Sequence, residues 1–291
     1  MIRTWIVMAV LASMQWARAE VVDIVAQKDT TLREADPNNN LGGELFMEVG
    51  GTAHATKARG LIRFDLAGKI PAGAILTNVS ITLVLPSLPR PDFNGVDFGF
   101  HRMLQDWGEG TKSGAGGGVA TAGEASWISR MQPDAWAQPG GEPDFDFAAS
   151  ASAHELMGPA PNTNTIFSTV ALLEDVERWR ADSGTNFGWM IKAVDESVLQ
   201  SAKRFASKES PNGAVLHVEY ALQEEFRITR VEKQSGGILF SWSGGVPPFQ
   251  IEAIDDISKT NWIPVTTFMD STNAFFITAD PQKYFRVKMP R

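Results

Sequence analysis

The residues best suited to move a proton or hold a metal are four histidines, His54, His101, His154 and His217, scattered through 291 residues. None begins a paired-ligand or zincin spacing: His154-Glu155 has no second histidine four positions on. Gly110-Thr111-Lys112-Ser113 resembles a phosphate loop in outline, but Thr111 stands where a glycine must precede the lysine, and no strand-to-helix pattern surrounds it. A surface loop is the expectation there. No Gly-x-Ser-x-Gly elbow occurs, and the chain has no cysteine, which removes thiolate nucleophiles, cysteine-held zinc and disulfides. Carboxylates are abundant. Glu109, Glu124, Asp144 and Asp146 could form a glycosidase pair if the fold set their separation, or act as solvated acids or ion ligands. Asp144 and Asp146, two apart in an extended loop, can point to one side and are the calcium candidates.

The segment 105–147 concentrates the remaining chemistry. It holds nine glycines and three of the five tryptophans between positions 20 and 222: Trp107, Trp127 and Trp136. So much glycine leaves little apolar material to cover three indoles. The expectation is therefore exposed rings that stack on sugars, with Glu109 and Asn94 as hydrogen-bonding neighbours. The competing expectation is a small core beneath a long loop.

The elements that must position this segment read as strands. Ile75, Thr77, Val79, Ile81, Leu83 and Leu85 alternate with polar residues until Pro86, and the same period of two recurs at 62–66, 96–100 and 214–220. Glycine and proline clusters punctuate them. Ser168 to Arg180 is the exception, with Leu172, Leu173, Val176 and Trp179 on one helical face behind a Ser168 or Thr169 cap. Many strands and one short helix indicate an all-β, jelly-roll sandwich.

Arg3, the apolar stretch from Trp5 to Met14, and Ala17-Arg18-Ala19 have the form of a secretory signal cleaved after residue 19, too short to anchor in a membrane. A secreted, extracellular or periplasmic location is expected. Residues 20–222 hold 16 basic and 26 acidic residues, whereas 223–291 hold eight of each. This places a boundary near residue 222. The acidic balance disfavours nucleic acid as a partner. Six strand-like runs in 223–291 suit a small fibronectin type III-like sandwich.

Several motifs follow in order: Asp29-Thr30-Thr31-Leu32, Asn38 to Gly42, Arg59 to Leu66, Ile70 to Ile75, Trp107-Gly108-Glu109 and Ser126-Trp127. Trp136, Gly140-Gly141, Asp144-Phe145-Asp146, Val176 with Trp179, Asn186 to Trp189, Phe205 to Glu209 and Leu216 to Tyr220 complete the series. The series resembles the DNRLRE domain, grouped with family 96 carbohydrate-binding modules and related to the repeats of disaggregatases. That resemblance covers about 22–220 and implies an exported sandwich without catalysis of its own, with polysaccharide as ligand class. Lys208 departs from the family's usual arginine, and Glu142-Pro143 interrupts its Gly-Gly-Asp-Phe-Asp order. Residues 223–291 resemble C-terminal fibronectin-like spacer or docking domains, through Trp242, Gly244 to Phe249 and Tyr284 to Val287.

Three functions remain open on this reading. One is a secreted, non-catalytic polysaccharide-binding module; another is a structural or adhesive surface protein that packs against other secreted or cell-surface proteins; the third is a polysaccharide-degrading enzyme. The acidic charge favours a neutral glycan or a calcium bridge over a bare anionic one.

Overall fold

The computed structural model describes residues 19–86, 95–158, 162–222, 224–245, 247–277 and 284–289. Residues 1–18 of the signal-like segment and Asn94 lie outside them. The chain is all-β with one short helix, and it divides into two compact units between Ala221 and Leu222.

In the first unit the strand Ala19–Arg33 belongs to both layers. Its first half pairs antiparallel with Val215–Leu222, Val22 opposite Val218. Its second half pairs with Lys57–Phe64, Thr31 opposite Gly60, after a register shift between Ala26 and Lys28. A bulge bends a strand, and here the bend carries the chain from one sheet to the other. One layer continues through Ala74–Leu85 to Asn162–Ile166; the other runs through Trp189–Ala193 and Val96–Arg102 to Ala153–Met157. Between them lies the main core, with Ile24, Val79, Ile81, Leu83, Phe98, Phe100, Trp189, Leu216 and Val218 buried. Apart from Ile24 and Trp189, these are apolar members of the alternating runs, which explains why those runs form half-wet strands.

The helix Val170–Ala181 begins at Thr169, whose hydroxyl accepts from the Leu172 N–H, and it buries Leu172, Val176 and Trp179. Trp179 packs edge-on against Trp189, ring centroids 4.5 Å apart. Asp175 fixes the helix by taking bonds from Ser152 Oγ and Trp189 Nε1 and pairing with Arg102 at 2.8 Å.

The second unit is a small sandwich of two three-stranded antiparallel sheets. One contains Arg227–Gln234, Gly237–Ser243 and Asn273–Ile277; the other contains Ile263–Pro264, Gln250–Ile254 and Tyr284–Lys288. Phe240, Trp242, Phe249, Ile251, Ala274 and Phe276 form its core. Among the described residues no helix is long and apolar enough to cross a membrane.

Candidate functional site

The glycine-rich segment of the first unit folds back on the sandwich and encloses its own aromatic cluster. Trp107, Trp127 and Trp136 are 1%, 6% and 4% exposed, packed with Leu32, Leu61, Met103, Ala125, Phe147 and Met190. The Trp107 Nε1–H donates to Phe187 O and the Trp136 Nε1–H to Ser126 O, each at 2.9 Å. The expectation of exposed, stacking indoles is thus corrected. Glycine is what makes the burial possible. A Cβ on Gly140 would lie 2.6 Å from the Trp127 ring, at a φ of +85°, and one on Gly108 would lie 1.6 Å from Gly123 O. Backbone without side chains covers the rings directly, so aliphatic neighbours are not required.

Charged and amide side chains of the sandwich fasten this segment. Lys28 Nζ sits 4.4 Å from the Trp107 ring centroid, donates to Trp107 O, and pairs with Asp106 at 3.0 Å. Asn40 donates to Glu109 O and Ala125 O and accepts from the N–H groups of Gly42 and Lys112. Arg59 binds both Glu196 oxygens at 2.7 and 2.8 Å, and its Nη1 donates to Gly140 O and Gly141 O. The same guanidinium lies 5.4 Å from the Trp127 ring centroid. A fork of this shape suits a carboxylate and a turn at once.

A third fastening gathers ionisable groups far apart in sequence. Asp29, Glu109 and Glu209 bring carboxylate oxygens within 4.8 Å of one another. The Asp29 N–H donates to Glu109 at 2.7 Å, and Asp29 accepts the Lys208 N–H at 2.7 Å. Lys208 Nζ stands 2.5 Å from Glu209 and 3.4 Å from Glu109. Burial pushes the Asp29 carboxyl up to about 7, against the lowering Lys208 N–H bond and with the help of the two neighbouring acids. Glu109 is also raised, first by burial, and Lys208 is raised by its bond to Glu209. The donor set is hard oxygen, as calcium prefers. The Lys208 ammonium already stands against two of the three acids and supplies positive charge there.

The other sequence candidates are dispersed. Asp144 and Asp146 accept from different backbone groups. Asp144, exposed at φ +63°, accepts from Ala149 N–H, while Asp146 is buried and accepts from the N–H groups of Ala137 and Glu142. Both act as loop fasteners through these bonds. Glu109, within the segment, accepts the Asp29 N–H of the sandwich below it. Glu124 accepts from Thr121 and Thr111, and Lys112 of the phosphate-loop lookalike stands 3.7 Å from it.

His101 Nδ1–H donates to Ala148 O, and burial lowers its pKa. His217 completes a chain in hydrolase-triad order, with Nδ1 2.6 Å from Asp23 and Nε2 2.8 Å from Thr82 Oγ1. Its three residues lie on neighbouring strands of one sheet face. The strands of His217 and Thr82 are interior to that sheet, so their amide groups serve the ladder rather than an oxyanion hole. The arrangement is a cross-strand tie.

Sequence reasoning quoted Asp29, Lys208 and Glu209 only as motif letters. Their role follows from contacts spanning 80 and 179 positions. The one local signal is Asp29 itself, an acid placed beside β-branched residues in a strand. Compared with known proteins, the chain matches no family model and no curated protein.

Proposed function

We propose that this chain is a non-catalytic structural or adhesive module of an exported protein, in which the first unit is a rigid scaffold. The observation that carries this reading is the enclosure of Trp107, Trp127 and Trp136 together with the commitment of Asp29, Asn40, Arg59, Glu109, Lys208 and Glu209 to fastening the segment above them. Those residues bear the DNRLRE-like motifs, so the motifs are read as architecture. Export is proposed on the signal-like first nineteen residues.

The covered rings offer no open face to a sugar, which favours the scaffold reading over polysaccharide binding through these three indoles. The direct test substitutes each tryptophan by alanine and compares melting temperature with retention on a panel of polysaccharides. The scaffold reading expects early melting in all three. A variant that melts like the parent yet loses retention overturns it.

A further inference from the structure

The second unit carries a built, outward-facing group of cations and aromatics. In the strand Tyr284–Lys288, Phe285 and Val287 turn to the core, so Tyr284, Arg286 and Lys288 share the opposite face. All three are exposed, Tyr284 by 48%. Opposite Arg286 in the ladder stands Glu252, only 3% exposed although it is on the outer face. One of its oxygens takes Arg286 Nε and Nη2 at 2.8 and 2.7 Å; the other takes Lys288 Nζ at 3.0 Å.

Trp262 covers one face of the guanidinium, 4.4 Å from ring centroid to carbon. Among the described residues Arg286 Nη1 receives no acceptor. Burial opposes ionisation of Glu252, but the bonds from Lys288 and Arg286 outweigh it and hold its pKa below the usual range. Two cations are therefore fixed by one buried anion, which leaves one positive charge in excess within this group, beside an exposed phenol.

We propose that this face, Arg286 and Lys288 with Tyr284 and Trp262, binds an anionic polysaccharide through its carboxylate or sulfate groups. A linear polymer lies along a strand, where side chains of one face recur about every 6.6 Å. The two cations pair with its charges, and Tyr284 takes the apolar side of a sugar ring. Nucleic acid is a poorer match, because proteins that follow a duplex typically neutralise about 6–10 phosphates.

The inference rests on the adhesive reading and gives it a partner class. It also assigns binding to the unit with balanced charge, eight basic and eight acidic residues over 223–291, rather than to the acidic one.

The test uses the full chain in gel-retardation electrophoresis with a uronate polymer, a sulfated polysaccharide, a neutral glucan and duplex DNA. Retardation by at least one anionic polysaccharide, absent with the glucan, is expected, and it should weaken as salt rises. The double variant Arg286→Gln/Lys288→Gln should weaken binding at least about tenfold, as loss of two charge-assisted contacts implies. Glu252→Gln keeps an acceptor but removes the compensating charge, so it should tighten binding while its melting is followed in parallel.

No retardation by either anionic polymer overturns the inference, as does equal retardation by DNA or unchanged affinity in the double variant. None of these outcomes touches the scaffold reading, which stands or falls on the melting of the tryptophan variants in the first unit.

Discussion

In the first unit three indoles occupy the most glycine-rich stretch of the chain, and all are covered. In the second, Tyr284 stays at the surface of a regular strand and Trp262 is half-buried against an arginine. Composition around an aromatic residue thus misleads in both places. Glycine lets backbone approach a ring from directly above, as Gly140 does at Trp127, so a loop poor in side chains encloses more aromatic surface than its composition suggests. A strand cannot do this. Its alternation commits every second side chain to the outer face, and an aromatic there stays exposed unless a neighbour reaches over it.

The comparison is broken most decisively by substituting the buried rings. Trp107→Ala should cost about 3–5 kcal/mol of unfolding free energy, read from chemical denaturation, because it leaves a cavity among Leu32, Leu61 and Met190 and orphans Phe187 O. Trp262→Ala should cost under about 1 kcal/mol, the worth of a half-exposed cation–aromatic contact. Equal costs would erase the distinction between the two regions.

Arg59 sharpens the same comparison on the polar side. Its side chain and that of Glu196 are each 11% exposed, whereas the Arg286 side chain is 47% exposed. Arg59→Ala should therefore destabilise the first unit by about 3–5 kcal/mol, since it strands a largely buried carboxylate and two turn carbonyls. Arg286→Gln leaves Lys288 paired with the buried Glu252 and should cost less than Arg59→Ala. Differential scanning calorimetry of the two variants checks the ordering.

Asp29 gives the fastening a pH dependence of definite sign. Its carboxyl is raised from 3.8 to about 7 in the folded chain, so between those values the folded state holds a proton that the unfolded state has lost. Stability is fully present below the unfolded value and declines as pH rises through the folded one. The ceiling is about 4 kcal/mol, and Glu109, also raised, acts in the same direction. Asp29→Asn keeps an acceptor for the Lys208 N–H. It should flatten the decline between about pH 4 and 7, the range those values bracket, and make the variant more stable than the parent at the upper end. Urea titrations of both proteins across that range decide it, and parallel profiles would show that Asp29 does not carry the dependence.

The regular elements were legible because their cause is local. The alternation of Ile75 to Leu85 became Ala74–Leu85, and the face of Leu172, Val176 and Trp179 became a helix capped by Thr169. The strand Ala19–Arg33 was harder to read, because Val21, Val22, Ile24 and Val25 do not alternate and the bulge after Ala26 changes the sheet it serves. The site was least legible. Covering Trp127 depends on the left-handed backbone of Gly140, which composition does not reveal, and neutralising Glu109 depends on Lys208, which lies in a different part of the sequence. The outer-face group at Arg286 was missed for a related reason, since Glu252 precedes it by 34 positions and meets it only across a ladder.

The smallest expected effect concerns calcium. A cation that binds the folded chain alone stabilises it by about 2.7 kcal/mol at a hundred times its dissociation constant, a shift readily seen in melting. Asp29, Glu109 and Glu209 would be the acids to supply such a site. Lys208 already brings a positive charge to two of them, and raising Asp29 toward neutrality removes part of the attraction that a divalent ion needs. Millimolar calcium added to EDTA-treated protein should therefore leave the melting temperature of the first unit unchanged. Lys208→Ala opens the position and leaves three converging acids without their cation, so this variant should be destabilised and should recover part of the loss when calcium is added. A parent protein that gains several degrees with calcium would mean that the ammonium yields its place, and the fastening of the glycine-rich segment would then be an ion site after all.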